Sequence, residues 1–230
     1  MVKSAVKGEI PVPNKYLLFD LDGTLTDPMI GITNCVMYAL EKFGIRVPDR
    51  RELYPYIGPP LTESFMKRHG LTAAQADAAL AYYRERFSST GMFENTLYED
   101  VPSFLQTLKE EGYTLLIATS KPEEYTVQIL KHFSLDGYFD FIAGNTLDES
   151  RPTKSAVIAY LRERYPDISA DNAVMIGDRK YDVVGARENG LRSIGVLYGY
   201  GSQEELVTAG ATALAADFAQ LEQRIRELWL

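Results

Sequence analysis

The 230-residue sequence predicts an α/β protein in which helices cover both faces of a parallel sheet, with an all-helical segment inserted near its start. Short apolar runs alternate with helical patterns over most of the chain, and the connections between them are short, as in parallel α/β folds. The alternation stops between about residues 28 and 95, where the patterns are helical only. We therefore expect an α/β core domain formed by residues 1–27 and 96–230, and a helical cap domain formed by residues 28–95.

The core strands are predicted by apolar runs that are long enough for a buried strand and too short for a helix. The first run, Tyr16–Phe19, ends at an aspartate. Four later runs share this character, the second of them more weakly: residues 114–118, 139–143, 173–176 and 193–196. Continuous apolar runs of this length are typical of strands that are buried on both faces of a parallel sheet.

Helical patterns separate these strands in the core and fill the insert. In the core they cover residues 101–111, 122–133, 153–165 and 181–189. In the insert the clearest patterns cover residues 29–43 and 73–87, and Thr72 followed by Gln75 is a capping-box signature before the second of them. Breaker residues near both edges of the insert predict either hinges or ordinary turns: Pro28, Gly31, Gly91 and Asn95.

Composition and charge exclude several function classes. Hydrophobic residues make up 46% of the chain and charged residues 24%, which is ordinary for a folded globular protein. The 24 basic residues against 32 acidic ones give a net charge of −8. Because no basic run occurs, we expect no binding to nucleic acid or to an anionic membrane. A single cysteine, Cys35, excludes an internal disulfide.

No targeting segment is predicted. Residues 1–15 lack an apolar stretch of signal-peptide length, and no segment reaches the roughly 20 apolar residues of a membrane span. We therefore expect a cytoplasmic protein, present as a monomer or a weak homodimer, whose partner is a small metabolite.

Four polar clusters follow predicted strands. In chain order they are Asp20-Leu-Asp22-Gly23-Thr24, then Thr119-Ser120-Lys121, then Lys154 at the start of a helix, and finally Gly177-Asp178 with Asp182. The carboxyl ends of parallel strands meet at one edge of a sheet, and this edge is where ligands bind in open α/β folds. We therefore expect the four clusters to form one site.

The carboxylates of this predicted site favour a hard cation. Asp20 and Asp22 are two residues apart, so strand geometry places both side chains on one face, where they repel each other unless a cation lies nearby. Asp178 and Asp182 come from another strand end. Since no histidine cluster or thiolate accompanies these oxygen ligands, Mg²⁺ is the predicted metal. Its predicted ligands are Asp20, Asp22, Asp178 and Asp182.

The other polar groups suit a phosphate. Lys154 supplies positive charge, and the hydroxyls and amides of Thr119 and Ser120 lie just before a helix N-terminus, which favours anions. Gly23 allows a sharp turn that brings the backbone close to the phosphate. The predicted substrate-binding residues at this edge are Gly23, Thr24, Ser120 and Lys121.

Two aspartates supply the predicted chemistry. Asp20 can attack phosphorus as a nucleophile and form an aspartyl-phosphate. Asp22 can then protonate the leaving oxygen and later deprotonate the attacking water. A metal ion and Lys154 lower the repulsion between carboxylate and phosphate. The predicted catalytic residues are Asp20, Asp22, Thr119 and Lys154.

The motifs together resemble those of the haloacid dehalogenase superfamily, in the branch with a helical cap after the first motif. Residues 19–27, FDLDGTLTD, resemble the first motif closely, and residues 117–122, IATSKP, resemble the second. Lys154 matches the third motif, and Asp178 with Asp182 matches the fourth. The resemblance, which spans residues 16–227, implies a Rossmann-like parallel sheet flanked by helices with an inserted all-helical cap.

The first motif implies phosphoryl chemistry. By this resemblance Asp20 is nucleophile and metal ligand, and Asp22 is the acid and base and binds the metal through its carbonyl. Dehalogenases of the superfamily lack the second aspartate. Phosphomutases of this branch typically show a DGV form followed by Asp-Thr and a histidine, whereas residues 22–28 read DGTLTDP here. The pattern is most similar to phosphoglycolate phosphatase-like enzymes and their nucleotidase-like relatives.

The other motifs imply phosphate and metal binding. By the same resemblance, Thr119 and Lys154 hold the phosphate. Asp178 binds Mg²⁺ directly, whereas Asp182 supports the metal site, either directly or through water.

The expected function is therefore that of a Mg²⁺-dependent phosphatase. It would hydrolyse a small phosphomonoester, similar to phosphoglycolate or to a nucleoside monophosphate, through an aspartyl-phosphate intermediate. One alternative is a phosphomutase acting on a sugar phosphate, which keeps the same aspartates but returns the phosphate to the substrate. Another is a binding module of the same fold that has lost catalysis.

The insert is predicted to act as a lid over this site. Residues 56–61, YIGPPL, are the best candidate for a loop that faces the substrate, with Gly58 as a predicted substrate-binding residue. An ordinary connection between helices is the alternative. The two connections of the insert, near residues 26–31 and 91–96, are expected to lie close together, which would permit hinging.

Overall fold

The chain forms a six-stranded parallel sheet with helices on both faces and a group of helices inserted after the first strand. The structure, a computed structural model, describes residues 14–229. Its strands are β1 (Tyr16–Phe19), β2 (Thr26–Asp27), β3 (Thr96–Leu97), β4 (Thr114–Pro122), β5 (Phe141–Asn145), β6 (Ala173–Gly177), β7 (Arg192–Val196) and β8 (Ala213–Ala215). Its α-helices are α1 (Met29–Glu41), α2 (Leu61–His69), α3 (Ala73–Arg86), α4 (Val101–Glu110), α5 (Glu123–His132), α6 (Lys154–Arg164), α7 (Lys180–Glu188), α8 (Gln203–Ala209) and α9 (Phe218–Glu227).

The main sheet has the strand order β5-β4-β1-β6-β7-β8, and every neighbouring pair is parallel. β1 lies between β4 and β6, and the six strands therefore end at the same edge. Side chains alternate between the faces of the sheet, since Leu17 and Phe19 belong to one buried cluster and Tyr16 and Leu18 to another. The predicted fold class, a Rossmann-like parallel sheet flanked by helices, is confirmed.

Several boundaries differ from the prediction. β5 lies two residues later, and β4 continues to Pro122 instead of ending at Ala118. The register of β4 against β5 shifts between these two residues, so residues 119–121 form an irregular strand end and not the loop beyond it. The capping box of Thr72 and Gln75 begins α3 as predicted. No prediction covers β2, β3, β8, α8 or α9, and the three strands have only two or three residues each. α2 lies within the insert that is predicted to be helical, but no separate helix is predicted there.

The insert contains α1, α2 and α3, with a 3₁₀ turn at Arg50–Tyr56 and a π-helical turn at Phe87–Gly91. α3 packs against both α1 and α2. β2 and β3 form an antiparallel pair, so the two chains that connect the insert with the main sheet lie side by side. The division into a core of residues 1–27 and 96–230 and a cap of residues 28–95 stays a prediction.

The predicted absence of a signal peptide in residues 1–15 falls almost entirely on residues 1–13, which lie outside the described residues. The first residues of the predicted core domain lie there as well. Between residues 14 and 229, no helix combines the length and the apolar character needed to cross a membrane. The oligomeric state and the cellular location stay predictions.

Candidate active site

The four predicted polar clusters meet at the carboxyl edge of the main sheet. Asp20 directly follows β1, and its amide donates to the carbonyl of Ile176 in the neighbouring strand β6 (2.9 Å). Lys154 is the first residue of α6, where the hydroxyl of Thr153 caps the helix by accepting from the amide of Ala156 (3.1 Å). The strand order thus brings together groups that are far apart in the chain.

Lys154 is the centre of the site. Its Nζ lies 2.9 Å from Oδ1 of Asp20 and 2.8 Å from Oδ1 of Asp182, and it donates to the carbonyl of Ala118 (2.8 Å). Only 2% of its side chain is exposed. The ammonium group therefore lies between two carboxylates and a backbone carbonyl.

Three buried carboxylates lie close together here, and two of them contact this ammonium group. Asp20, Asp178 and Asp182 each offer an oxygen, and these atoms lie within 4.8 Å of one another. Oδ1 of Asp178 is buried and has no hydrogen-bond partner within the described residues. When all three carboxylates are ionised, Lys154 neutralises one of their charges, so two negative charges are left over. The donor set and the charge both fit a hard divalent cation such as Mg²⁺.

Backbone groups hold the two aspartates of the fourth motif. The amide of Arg179 donates to Oδ2 of Asp182 (3.0 Å), and the amide of Tyr200 donates to Oδ2 of Asp178 (2.7 Å). Gly23 packs against the same carboxylate, with φ at +80°, and a Cβ there would lie 2.2 Å from Oδ2 of Asp178. Gly23 is therefore required both by its backbone conformation and by the close approach.

Burial governs protonation in this cluster. It raises the pKa of Asp178 well above its usual range, and the charges of Asp182 and Asp20 raise that pKa further. It also raises the pKa of Asp182, although Lys154 opposes this shift. Burial lowers the pKa of Lys154, but Asp182 and Asp20 outweigh it, so that the pKa of Lys154 is raised. A bound divalent cation would favour the charged forms of these carboxylates.

Asp22 lies apart from the three clustered carboxylates and pairs with a different lysine. Its Oδ2 is 2.7 Å from Nζ of Lys121, and this ammonium lies 4.5 Å from the centre of the Phe87 ring. Oδ1 of Asp22 is buried and makes no hydrogen bond within the described residues. Burial raises the pKa of Asp22, and the charge of Lys121 opposes this shift. A carboxyl group in this environment is suited to carry a proton.

A cavity of about 360 Å³ opens at this edge, between the sheet and the insert. Six predicted site residues line it: Asp20, Asp22, Gly58, Thr119, Ser120 and Lys121. Most of the predicted cap loop, residues 56–61, lines it as well. Lys154, Asp178 and Asp182 do not, and neither do Gly23 and Thr24, whose hydroxyl is fully buried and unpartnered among the described residues. The assigned roles of all these residues stay predictions.

The cavity wall also contains residues that the sequence analysis does not identify. Tyr83 and Phe87 of the insert stack with their ring centres 5.3 Å apart, and Tyr125 of the core meets Phe87 edge-on at 5.4 Å. Arg84 belongs to the same wall and forms an ion pair with Glu149 (3.0 Å). Aromatic residues at helical spacing usually form a core, so no sequence signal separates these from ordinary packing residues.

Several known proteins resemble this chain in sequence and in structure. The family of haloacid dehalogenase-like hydrolases matches residues 17–196. A 5'-nucleotidase of Pseudomonas aeruginosa is 44% identical over 207 residues, covering 90% of this chain and 93% of that protein. The tyrosine-protein kinase PtkA of Mycobacterium tuberculosis is 33% identical over 221 residues, covering 96% of this chain and 74% of that protein.

Two further matches point to phosphatases. A phosphoglycolate phosphatase of Aliivibrio fischeri is 27% identical over 216 residues, covering 90% of this chain and 94% of that protein. The crystal structure of a predicted phosphatase from Clostridium acetobutylicum matches with a TM-score of 0.90 and 48% identity, covering 93% of this chain and 99% of that one. This chain belongs to the haloacid dehalogenase-like hydrolases, and it is a phosphatase. The predicted family and enzyme class are confirmed.

Proposed function

We propose that this protein is a Mg²⁺-dependent phosphatase that hydrolyses nucleoside monophosphates through an aspartyl-phosphate on Asp20. The observation that carries the proposal is the buried cluster in which Lys154 contacts Asp20 and Asp182, with Asp178 as the third carboxylate. Such a cluster can hold a divalent cation beside a nucleophilic carboxylate, which is the arrangement that phosphoryl transfer requires.

Asp20 provides the nucleophilic oxygen. Its Oδ1 is engaged twice, since it accepts from the amide of Leu21 (2.8 Å) and contacts Nζ of Lys154 (2.9 Å). Its Oδ2 makes no hydrogen bond within the described residues, and Asp20 lines the cavity. We assign the attack on phosphorus to Oδ2, so that an O–P bond forms as the bond to the leaving oxygen breaks.

Asp22 acts first as the general acid and then as the general base. It lines the cavity two residues after the nucleophile, and in the first step it gives a proton to the leaving oxygen. In the second step it takes a proton from the water that attacks the acyl phosphate, which frees Asp20 and releases inorganic phosphate.

The phosphate is bound by Thr119, Ser120 and Lys121 at the irregular end of β4, all of which line the cavity. Mg²⁺ would be held by Asp20, Asp178 and the carbonyl of Asp22, with Asp182 beside them. When bound, it neutralises charge between the carboxylate and the phosphate and stabilises the transition state.

Phosphatase activity is expected to disappear in excess chelator and to return with Mg²⁺, whereas Ca²⁺ restores only a small fraction. The carboxylate cluster is compact, and Ca²⁺ prefers more ligands and longer bonds than Mg²⁺. Mg²⁺ should also raise the melting temperature, because it relieves repulsion among the carboxylates and binds only the folded chain. The stabilisation at a hundredfold excess over Kd is about 2.7 kcal/mol. Full activity after verified metal removal would contradict the assignment.

The size and lining of the cavity favour a nucleoside monophosphate over phosphoglycolate. A volume of about 360 Å³ is within the range of sites for drug-sized ligands and exceeds the needs of a two-carbon acid. Tyr83, Phe87 and Tyr125 line the cavity with aromatic side chains, and such an apolar wall suits the nucleoside part of a substrate.

The charges of the cavity support the same preference. Phosphoglycolate carries a carboxylate besides its phosphate, and this second anion would need a cation. The two cationic side chains that line the cavity are already paired, Lys121 with Asp22 and Arg84 with Glu149. A nucleoside leaving group is neutral and therefore needs no cation to bind it.

The substrate proposal is tested by kcat/KM for a panel of phosphomonoesters, with release of inorganic phosphate as the readout. We expect nucleoside 5'-monophosphates to exceed phosphoglycolate by at least about tenfold, which corresponds to about 1.4 kcal/mol. A higher value for phosphoglycolate would contradict the substrate assignment. Conversion of a sugar phosphate to an isomer without phosphate release would instead support the phosphomutase alternative.

Leu61→Ala is expected to lower kcat/KM for the nucleotide about three- to tenfold and to change that for phosphoglycolate less than about twofold. Leu61 lines the cavity at the start of α2, so the truncation removes apolar contact from the bulky leaving group alone. Met66→Ala is the matched control, because Met66 is exposed on the same helix and does not line the cavity. Equal losses for both substrates would argue against the proposal that cap residues lining the cavity select the leaving group.

A further inference from the structure

The loop of residues 198–201, YGYG, contacts three parts of the molecule at once. It follows β7, and its composition alone indicates only a turn after a core strand. The hydroxyl of Tyr198 donates to the carbonyl of Thr24 in the first motif (3.0 Å). The remaining residues of the loop contact Asp178 and the insert, so the loop lies between the predicted metal site and the base of the cap.

The loop fits tightly around Asp178. The amide of Tyr200 donates to Oδ2 of Asp178 (2.7 Å), and Oδ1 has no hydrogen-bond partner between residues 14 and 229. A Cβ at Gly199 would lie 2.3 Å from Cβ of Asp178, and one at Gly201 would lie 1.9 Å from the carbonyl oxygen of Asp178. Glycine is therefore required on both sides of Tyr200, and the orientation of the Asp178 carboxylate depends on the position of this loop.

The side chain of Tyr200 reaches the connection between core and insert. Its hydroxyl donates to Oδ1 of Asp27 in β2. The same Asp27 oxygen accepts from the amide of Met29, the first residue of α1 (3.0 Å). Because β2 pairs with β3, this hydrogen bond fixes Tyr200 to the place where both connecting chains run side by side.

The insert also touches this part of the core directly. The ring of Tyr54 meets the ring of Tyr200 edge-on, with the ring centres 6.3 Å apart. The guanidinium of Arg179, the residue after Asp178, donates to the carbonyl of Ile57 in the insert and pairs with Glu205 of the core (2.9 Å). Asp178 is thus linked to the insert through its own chain neighbour and through Tyr200.

We infer that Tyr200 is a positioning residue that couples the orientation of Asp178 to the contact between the cap and the core. The inference rests on the proposed function, since it takes Asp178 as a metal ligand. When the cap contacts the core, Tyr54 and Asp27 hold the side chain of Tyr200. The amide of Tyr200 then holds the carboxylate of Asp178 so that Oδ1 of Asp178 can bind the cation. By reciprocity, a cation on Asp178 stabilises the contact between cap and core.

The test uses Mg²⁺ alone as the probe and hydrogen exchange as the readout. In the wild-type protein, Mg²⁺ should slow amide exchange in peptides that cover residues 26–31 and 54–58. In Tyr200→Phe, which keeps the ring and the amide but loses the hydroxyl, this protection should disappear, and the calorimetric Kd for Mg²⁺ should rise about fivefold or more. Tyr38→Phe is the matched control, because the Tyr38 hydroxyl also donates to a carboxylate, that of Glu85 within the insert (2.8 Å).

Asp27→Asn keeps an acceptor for the amide of Met29 and weakens the partner of the Tyr200 hydroxyl, so it should reproduce the loss seen in Tyr200→Phe. The double variant should lose no more than either single variant. If Tyr200→Phe and Asp27→Asn bind Mg²⁺ and keep the wild-type protection, the coupling is overturned. If the wild-type protein binds Mg²⁺ without protecting the cap, the coupling is overturned while the proposed function stands. If it binds no Mg²⁺, both are overturned.

Discussion

Asp20→Asn is expected to lower the rate of phosphate release by at least about 10³-fold, as the loss of a nucleophile does in other hydrolases. The amide oxygen that replaces Oδ2 is a poor nucleophile toward phosphorus, and no neighbouring carboxylate occupies the same position. Asp22 is paired with Lys121, and Asp178 and Asp182 do not line the cavity. Retention of more than a few per cent of the activity would falsify the covalent mechanism.

The same substitution should stabilise the metal-free protein. Asp20, Asp178 and Asp182 lie close together, so removal of one negative charge relieves repulsion among them while Lys154 keeps its contact with Asp182. We expect a higher melting temperature than wild type in chelator and a smaller increase on adding Mg²⁺. Asp77→Asn, on the exposed face of α3, is the matched control and should change neither quantity. A lower melting temperature in chelator would contradict this charge balance.

The sequence was sufficient to predict five of the six strands of the main sheet and the residues that meet at its edge. Apolar runs such as Tyr16–Phe19 are buried on both faces, so their length and continuous apolar character distinguish them from helices and surface strands. Once the strands are assigned as parallel, their carboxyl ends must share an edge, and this brings Asp20 near Lys154 and Asp178 without any knowledge of packing.

Some elements had local signals that the predictions do not use. Ser202 followed by Glu205 is a capping signature, and the Ser202 hydroxyl does cap α8 by accepting from the amide of Glu205 (3.0 Å). Phe218, Leu221 and Ile225 have the spacing of one helix face and lie on α9. Both helices were therefore within reach of a closer analysis of the sequence.

Other features had no local signal. β8 has three residues and is defined by its pairing with β7. The role of Tyr200 depends on Asp27, which lies in the first motif, and on Tyr54 in the insert. Such contacts result from the packing of distant segments, and no spacing within one segment predicts them. The position of Tyr83 and Phe87 in the cavity wall could not be predicted for the same reason, because residues in a core and residues that line a cavity look alike in sequence.

Lys154→Met is expected to destabilise the metal-free protein by about 3–5 kcal/mol, the usual cost of leaving buried charges without their partner. The methionine side chain has a similar length but no charge. Asp20 and Asp182 lose their common cation, and the carbonyl of Ala118 loses its donor. Activity should fall about 10²- to 10³-fold as well, because the positive charge beside the reacting phosphate is gone.

Urea unfolding with and without Mg²⁺ checks the predicted change in stability separately from the predicted change in activity. Mg²⁺ should restore part of the lost stability, since it supplies positive charge to the same carboxylates. Lys154→Met combined with Asp182→Asn should recover stability in chelator but not activity, because the double variant removes one charge of each sign. Lys109→Met is the control: its ion pair with Asp140 (2.9 Å) is partly exposed and should contribute no more than about 1 kcal/mol. A loss for Lys154→Met no larger than for Lys109→Met would mean that Lys154 does not hold the cluster together.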